Sequence, residues 1–225
     1  MRLLIPNPPR LFFRVALALF CLAPATLLAQ TQEDFPGNEP GSTEERMERS
    51  DLGNVAQAAL FSYAAGVREL DKARKLQEKA AKADESKRPK IAENAQTAYE
   101  NAISNLTDAI QTNPRLIEAY DPLGRAFYET GEFQRAAQVH DLALRIAPGD
   151  ALNQEGRAEA MLGLDQIREA ALAYESLRNS DKNLASRLLG LMKGYVSARR
   201  TDPAGVPPEA VEALAMLIER WETTG

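Results

Sequence analysis

The 225 residues include one cysteine, one histidine and one tryptophan, and each scarcity removes a class of chemistry. Cys21 cannot close a disulfide within the chain, and it falls among the first 29 residues. The chain beyond residue 29 therefore has no thiolate nucleophile and no zinc-thiolate site. A lone His140 excludes paired-histidine metal motifs such as HExxH, and neither a glycine-rich phosphate loop nor GxSxG occurs. Aromatic residues make up 6%, and no run of alternating β-branched residues supplies a strand signal. No apolar run reaches the roughly 20 residues that a membrane span requires. These absences assign no catalytic residue, cofactor or metal, and the chain is expected not to be an enzyme.

The order of what is present is informative. Residues 1–29 open with Arg2, Arg10 and Arg14, continue with an apolar core from Val15 to about Leu28, and end on Ala29. That pattern predicts a secretory signal cleaved after Ala29 and a periplasmic or secreted protein. Cleavage after Ala25 and retention as an anchor stay open. Lipidation of Cys21 is rejected, because Phe20 stands where a small residue is needed. Without this segment the chain carries 24 basic and 32 acidic residues, a net charge of −8, which argues against nucleic acid as the main partner. Residues 30–50 are acidic, with Pro36, Gly37, Pro40 and Gly41, and read as a disordered linker.

Residues 51–225 are predicted to be helical throughout. Leu52, Ala56, Leu60, Tyr63, Val67 and Leu70 begin a three-and-four spacing sustained for some thirty residues, and a second helix runs from about Lys87 to Thr112. Ser86 is a candidate cap between them and Pro89 suits a first turn. The pattern then shortens. Tyr120, Leu123, Gly124 and Phe127 share one face of a short helix, Thr130 and Gly131 break it, and Phe133, Ala136, His140, Ala143 and Ile146 share a face of the next, before Pro148. Tyr99, Ala102, Leu106, Ala109 and Pro114 stand 34 residues before Phe133, Ala136, His140, Ala143 and Pro148. Ala170, Tyr174 and Leu177 continue that register more weakly.

Placed against W-x2-L-G-x2-Y…A-x3-F…P, the segment 117–150 resembles the tetratricopeptide repeat (TPR), with Tyr120 for Trp and His140 for Phe. The resemblance implies an all-α, right-handed solenoid of helical hairpins: a long hairpin over 52–114, a repeat over 117–150, a weaker one over 151–183 and capping helices over 184–223. Gln154, Arg157 and Ala158 make the first helix of the weaker repeat poor. His140 holds a packing position, so its expected role is structural.

In this family the inner helices present signature positions 2, 5, 9 and 12 to a bound segment. Here these are Glu118, Asp121, Arg125 and Tyr128, then Leu152, Glu155, Glu159 and Leu162. Some relatives grip a C-terminal carboxylate with Lys and Asn at positions 5 and 9, and Asp121 and Glu155 contradict that. An extended protein or peptide partner with apolar and basic residues suits the wall better. A second surface is the hairpin tip, where residues 72–90 hold eight basic and three acidic residues, including Lys75, Lys79, Lys82, Lys87, Arg88 and Lys90. It is a candidate for contact with an anionic surface, or else an ordinary solvated helix end. The function expected is an exported adaptor that helps assemble or position an envelope complex; the alternative is a structural subunit that self-associates through its end helices.

Overall fold

The structure is a computed structural model that describes residues 43–224 apart from 204. The signal segment and the first part of the linker lie outside the described residues. Eight α-helices are described: α1 (Thr43–Lys82), α2 (Arg88–Thr112), α3 (Tyr120–Glu129), α4 (Phe133–Ile146), α5 (Ala151–Gly163), α6 (Ile167–Ser180), α7 (Lys182–Thr201) and α8 (Pro208–Thr224). A 3-10 turn, Ile117–Ala119, leads into α3. No strand occurs among the described residues, and the fold is an all-α solenoid of TPR-like hairpins. None of the described helices is long and apolar enough to cross a membrane.

Two boundaries correct the sequence reading. The first helix begins at Thr43, inside the stretch read as linker, and its 40 residues span about 60 Å. Residues 43–50 lack glycine and proline and include strong helix formers. Adding a turn to an existing helix needs no new nucleus, so a shortage of apolar side chains does not stop it. At the tip, Ser86 does not cap α2. Lys87 holds that place without a side-chain bond, and Arg88 Nη2 donates to the Ala83 carbonyl at 3.2 Å, while Pro89 lies in the first turn as expected.

The 34-residue register governs the backbone. Helices α4 and α6 have 14 residues each. The N–H after α2, α4 and α6 donates four residues back in every case: Asn113 to Ala109 at 2.9 Å, Ala147 to Ala143 at 2.8 Å, Asp181 to Leu177 at 2.7 Å. The turns inside the two short hairpins match as well. Gly131 and Asp165 both take a left-handed φ, +81° and +59°, and the next N–H reaches back 2.8 Å to Phe127 and Met161 respectively. Aspartate is among the few residues that tolerate that conformation.

Close approach explains the small residues. His140 lies on α4 between Gly124 of α3 and Gly156 of α5, and a Cβ at either glycine would overlap its ring. Gly66 meets Leu106 in the same way in the long hairpin. Gly156 thus performs in the third repeat what Ala158 alone does not, and Arg157, at an apolar signature position, bonds Asp141 of α4 at 2.5 Å instead. The repeat that reads as poor is therefore well formed. Asp181, one place before the proline position that Lys182 holds, caps α7 by accepting from the Asn183 and Leu184 N–H groups. One apolar core runs from Leu106 to Trp221, and a smaller one, Leu70, Ala73, Ala98, Tyr99, Ala102 and Ala126, joins the long hairpin to α3.

Candidate functional site

Helix α3 packs on α5 and α5 on α7, whereas α4 and α6 stand apart, so the first helices of successive hairpins form the inner layer. The wall positions lie there, but they are not equally open. Glu118 is exposed at the turn before α3, Leu152 is 46% exposed, and Asp121, Arg125 and Tyr128 are half-buried. Glu155, Glu159 and Leu162 are buried, which corrects their reading as peptide-facing positions. Adjacent inner helices approach closely enough to cover the side chains between them.

Those carboxylates have a partner of their own. The Arg125 guanidinium reaches from α3 to α5. Its Nε donates to Asp121 Oδ1 at 3.0 Å, one turn earlier, its Nη2 to Glu155 Oε2 at 3.1 Å and its Nη1 to Glu159 Oε2 at 3.4 Å. Helix α7 adds Arg187, whose Nε stands 3.2 Å from Glu155 Oε1, out of line for a hydrogen bond. Three carboxylates and two guanidiniums leave the cluster with one negative charge in excess when all are ionised. Burial pushes the Glu155 and Glu159 carboxyls above the usual range, and the arginines only partly offset that. Burial alone would lower Arg125, but Asp121, Glu159 and Glu155 together hold it above its ordinary value.

Arg187 gives no sequence signal as a wall residue. Leu191, 39% exposed, and the half-buried Tyr195 lie on the same helix. The Tyr128 ring packs against Phe133 with centroids 5.3 Å apart, and burial, reinforced by the Glu159 charge, raises its hydroxyl pKa.

His140 sits behind this wall. Its Nδ1 is 2.9 Å from Asn153 Oδ1, Nε2 has no partner, and burial lowers its pKa, opposed by the Asn153 bond. The geometry suits a neutral ring fixed as packing, in keeping with a structural role. No group of three or more His, Cys, Asp or Glu among the described residues is arranged to hold a metal ion.

Lys75, Lys79, Lys82, Lys87, Arg88 and Lys90 are all exposed at the far end of the long hairpin. Lys82 pairs with Glu78, and Lys87 stands 3.9 Å from Asp84. The hairpin is tied to the array through Glu129 at the end of α3. Arg74 Nη2 bonds its Oε1 at 2.6 Å, and the Tyr99 hydroxyl lies 2.8 Å from its Oε2. A last surface is an apolar groove of about 340 Å³ between α6 and α8, lined by Leu172, Leu214, Leu217 and Trp221 among others.

No protein-family model matches the sequence. Among solved structures the chain is similar to the TPR domain of Arabidopsis OM64, with 22% identity over 53% of this chain and 96% of that one and a TM-score of 0.36. It is also similar to a double mutant of MamA from RS-1, with 18% identity over 75% of this chain and 98% of that one and a TM-score of 0.36.

Proposed function

We propose that this protein is an exported, non-catalytic scaffold that holds a segment of a partner protein against the inner wall formed by α3, α5 and α7, and so helps to position an envelope complex. The observation that carries this is the Arg125-centred cluster, which spans two repeats and sets three carboxylates against two guanidiniums, with half-buried Tyr128 close by and Leu152 on α5 and Leu191 on α7 exposed. A wall of that chemistry selects extended segments with apolar and basic side chains and repels acidic ones. Export is supported by the basic start and apolar core of residues 1–29.

The test is a peptide array in which apolar residues alternate with Lys or Arg in one set and with Glu in the other. Binding by the basic set, lost with Leu152→Ser and Leu191→Ser, is the expected result. Equal binding of both sets, or none, overturns the reading. A structural, self-associating subunit is the second reading, favoured by the groove between α6 and α8 and by Met216, 69% exposed on α8. Light scattering separates the two, since an adaptor can be monomeric whereas a self-associating subunit is not.

A further inference from the structure

Helix α1 buries Ala59, Gly66, Leu70, Ala73 and Ala80 toward α2 and turns Arg74 toward α3. On the side away from both, Phe61, Arg68, Lys72, Lys75, Lys79 and Lys82 occur at helical spacing, the ring and most of the cations exposed. They occupy about a quarter of the helix circumference and run for about 30 Å. Three acids lie next to this stripe, and two of them neutralise cations at its middle and end. Asp71 lies 4.0 Å from Arg74, Glu69 bonds Lys72 at 2.9 Å, and Glu78 bonds Lys82. Arg68, Lys75 and Lys79 have no ion-pair partner among the described residues. These three unpaired cations on one flank stand out on a chain whose net charge is −5.

The head of the stripe decides what it fits. Phe61 is 73% exposed, and residues 52–67 contain no charged side chain, so an apolar ring leads a row of cations on one flank of one helix. A basic stripe with an aligned aromatic is the arrangement that lies on a lipid interface, with the cations at the headgroups and the ring at the acyl boundary. A soluble polyanion gives the ring nothing to enter. We infer that the outer flank of α1, from Phe61 to Lys82, docks lengthwise on an anionic lipid bilayer. This surface is distinct from the inner wall, and it places the basic contact along α1 rather than at Lys87, Arg88 and Lys90 of the tip.

The purified protein is mixed with vesicles of phosphatidylcholine containing phosphatidylglycerol, and with phosphatidylcholine alone, at low and at near-molar salt. Binding is expected only to the anionic vesicles, weakened by salt. Combined Arg68→Gln, Lys75→Gln and Lys79→Gln lowers affinity by about a hundredfold. Phe61→Ser lowers it by about tenfold, and Lys87→Gln with Arg88→Gln and Lys90→Gln changes it little. In Phe61→Trp the emission shifts to the blue on anionic vesicles. No binding by the unmodified protein at low salt overturns the inference, as does an emission from the Phe61→Trp variant that vesicles leave unshifted. Equal competition by soluble polyglutamate overturns it in favour of a protein or polymer partner.

Discussion

The long hairpin and the two short repeats are built to the same register and held by different physics. In the hairpin, α1 and α2 meet along a seam that is mostly alanine, and the polar tie to the rest of the array is Glu129, gripped by Arg74 and Tyr99. In the repeats, α3 to α6 share one continuous apolar core, and a buried cluster of opposite charges crosses from hairpin to hairpin. A thin seam permits length, because a turn added to the hairpin answers at most to the one helix opposite. A shared core fixes spacing, because every residue answers to two neighbours.

Replacing Arg125 with Met should break the repeats most severely. It leaves three carboxylates with Arg187 as their one remaining cation, and a loss of about 3–5 kcal/mol is expected in urea unfolding; a loss below about 1 kcal/mol would show that the cluster is not a cross-tie. Gly156→Ala places a methyl against the His140 ring and should cost about 1–3 kcal/mol by the same measurement. Tyr99→Phe tests the other region. Losing the bond to Glu129 should cost about 1 kcal/mol and speed amide exchange in α1 and α2 while leaving α4 to α6 unchanged. Uniform acceleration across all helices would mean that the two regions are not distinct.

The smallest effect concerns acid. Burial holds the His140 pKa below its unfolded value of 6.5, so the unfolded chain binds the extra proton first. The neutral ring's full contribution is present above that value and is lost as pH falls through it. Glu155 and Glu159 act with the opposite sign at lower pH, because their raised values favour protonation in the folded state. His140→Phe should flatten the dependence of melting temperature between about pH 7.5 and 5.5. An unchanged slope would place the titration elsewhere.

Much of this is legible in the residues alone. The register from Tyr99 to Pro114 and from Phe133 to Pro148 is a backbone fact, because carbonyls 34 residues apart accept equivalent bonds. The wall positions can be identified but not their burial, since spacing tells which helix face a side chain shares and not how near the next helix comes. Glu155 is the clearest example: a carboxylate on an inner face reads as solvated, and only Arg125 and Arg187 on two other helices make its burial tolerable. Gly156 and Glu129 give no local signal, for each acts on a residue far along the chain. The stripe on α1 shows only in part, as a cluster at the tip, because Phe61 and Arg68 lie outside the densest run of charge.

The turn between α5 and α6 carries a further consequence. Asp165 bends the backbone left-handed, and its Oδ1 lies 2.8 Å from the Tyr195 hydroxyl and 2.6 Å from Arg199 Nη2, both on α7. At the equivalent corner of the preceding repeat Gly131 makes the same bend with no side chain to hold anything. A glycine at 165 would relax the corner while casting off the next helix, so this site trades local ease for a mooring, and swapping the two residue types between corners would loosen one joint without tightening the other.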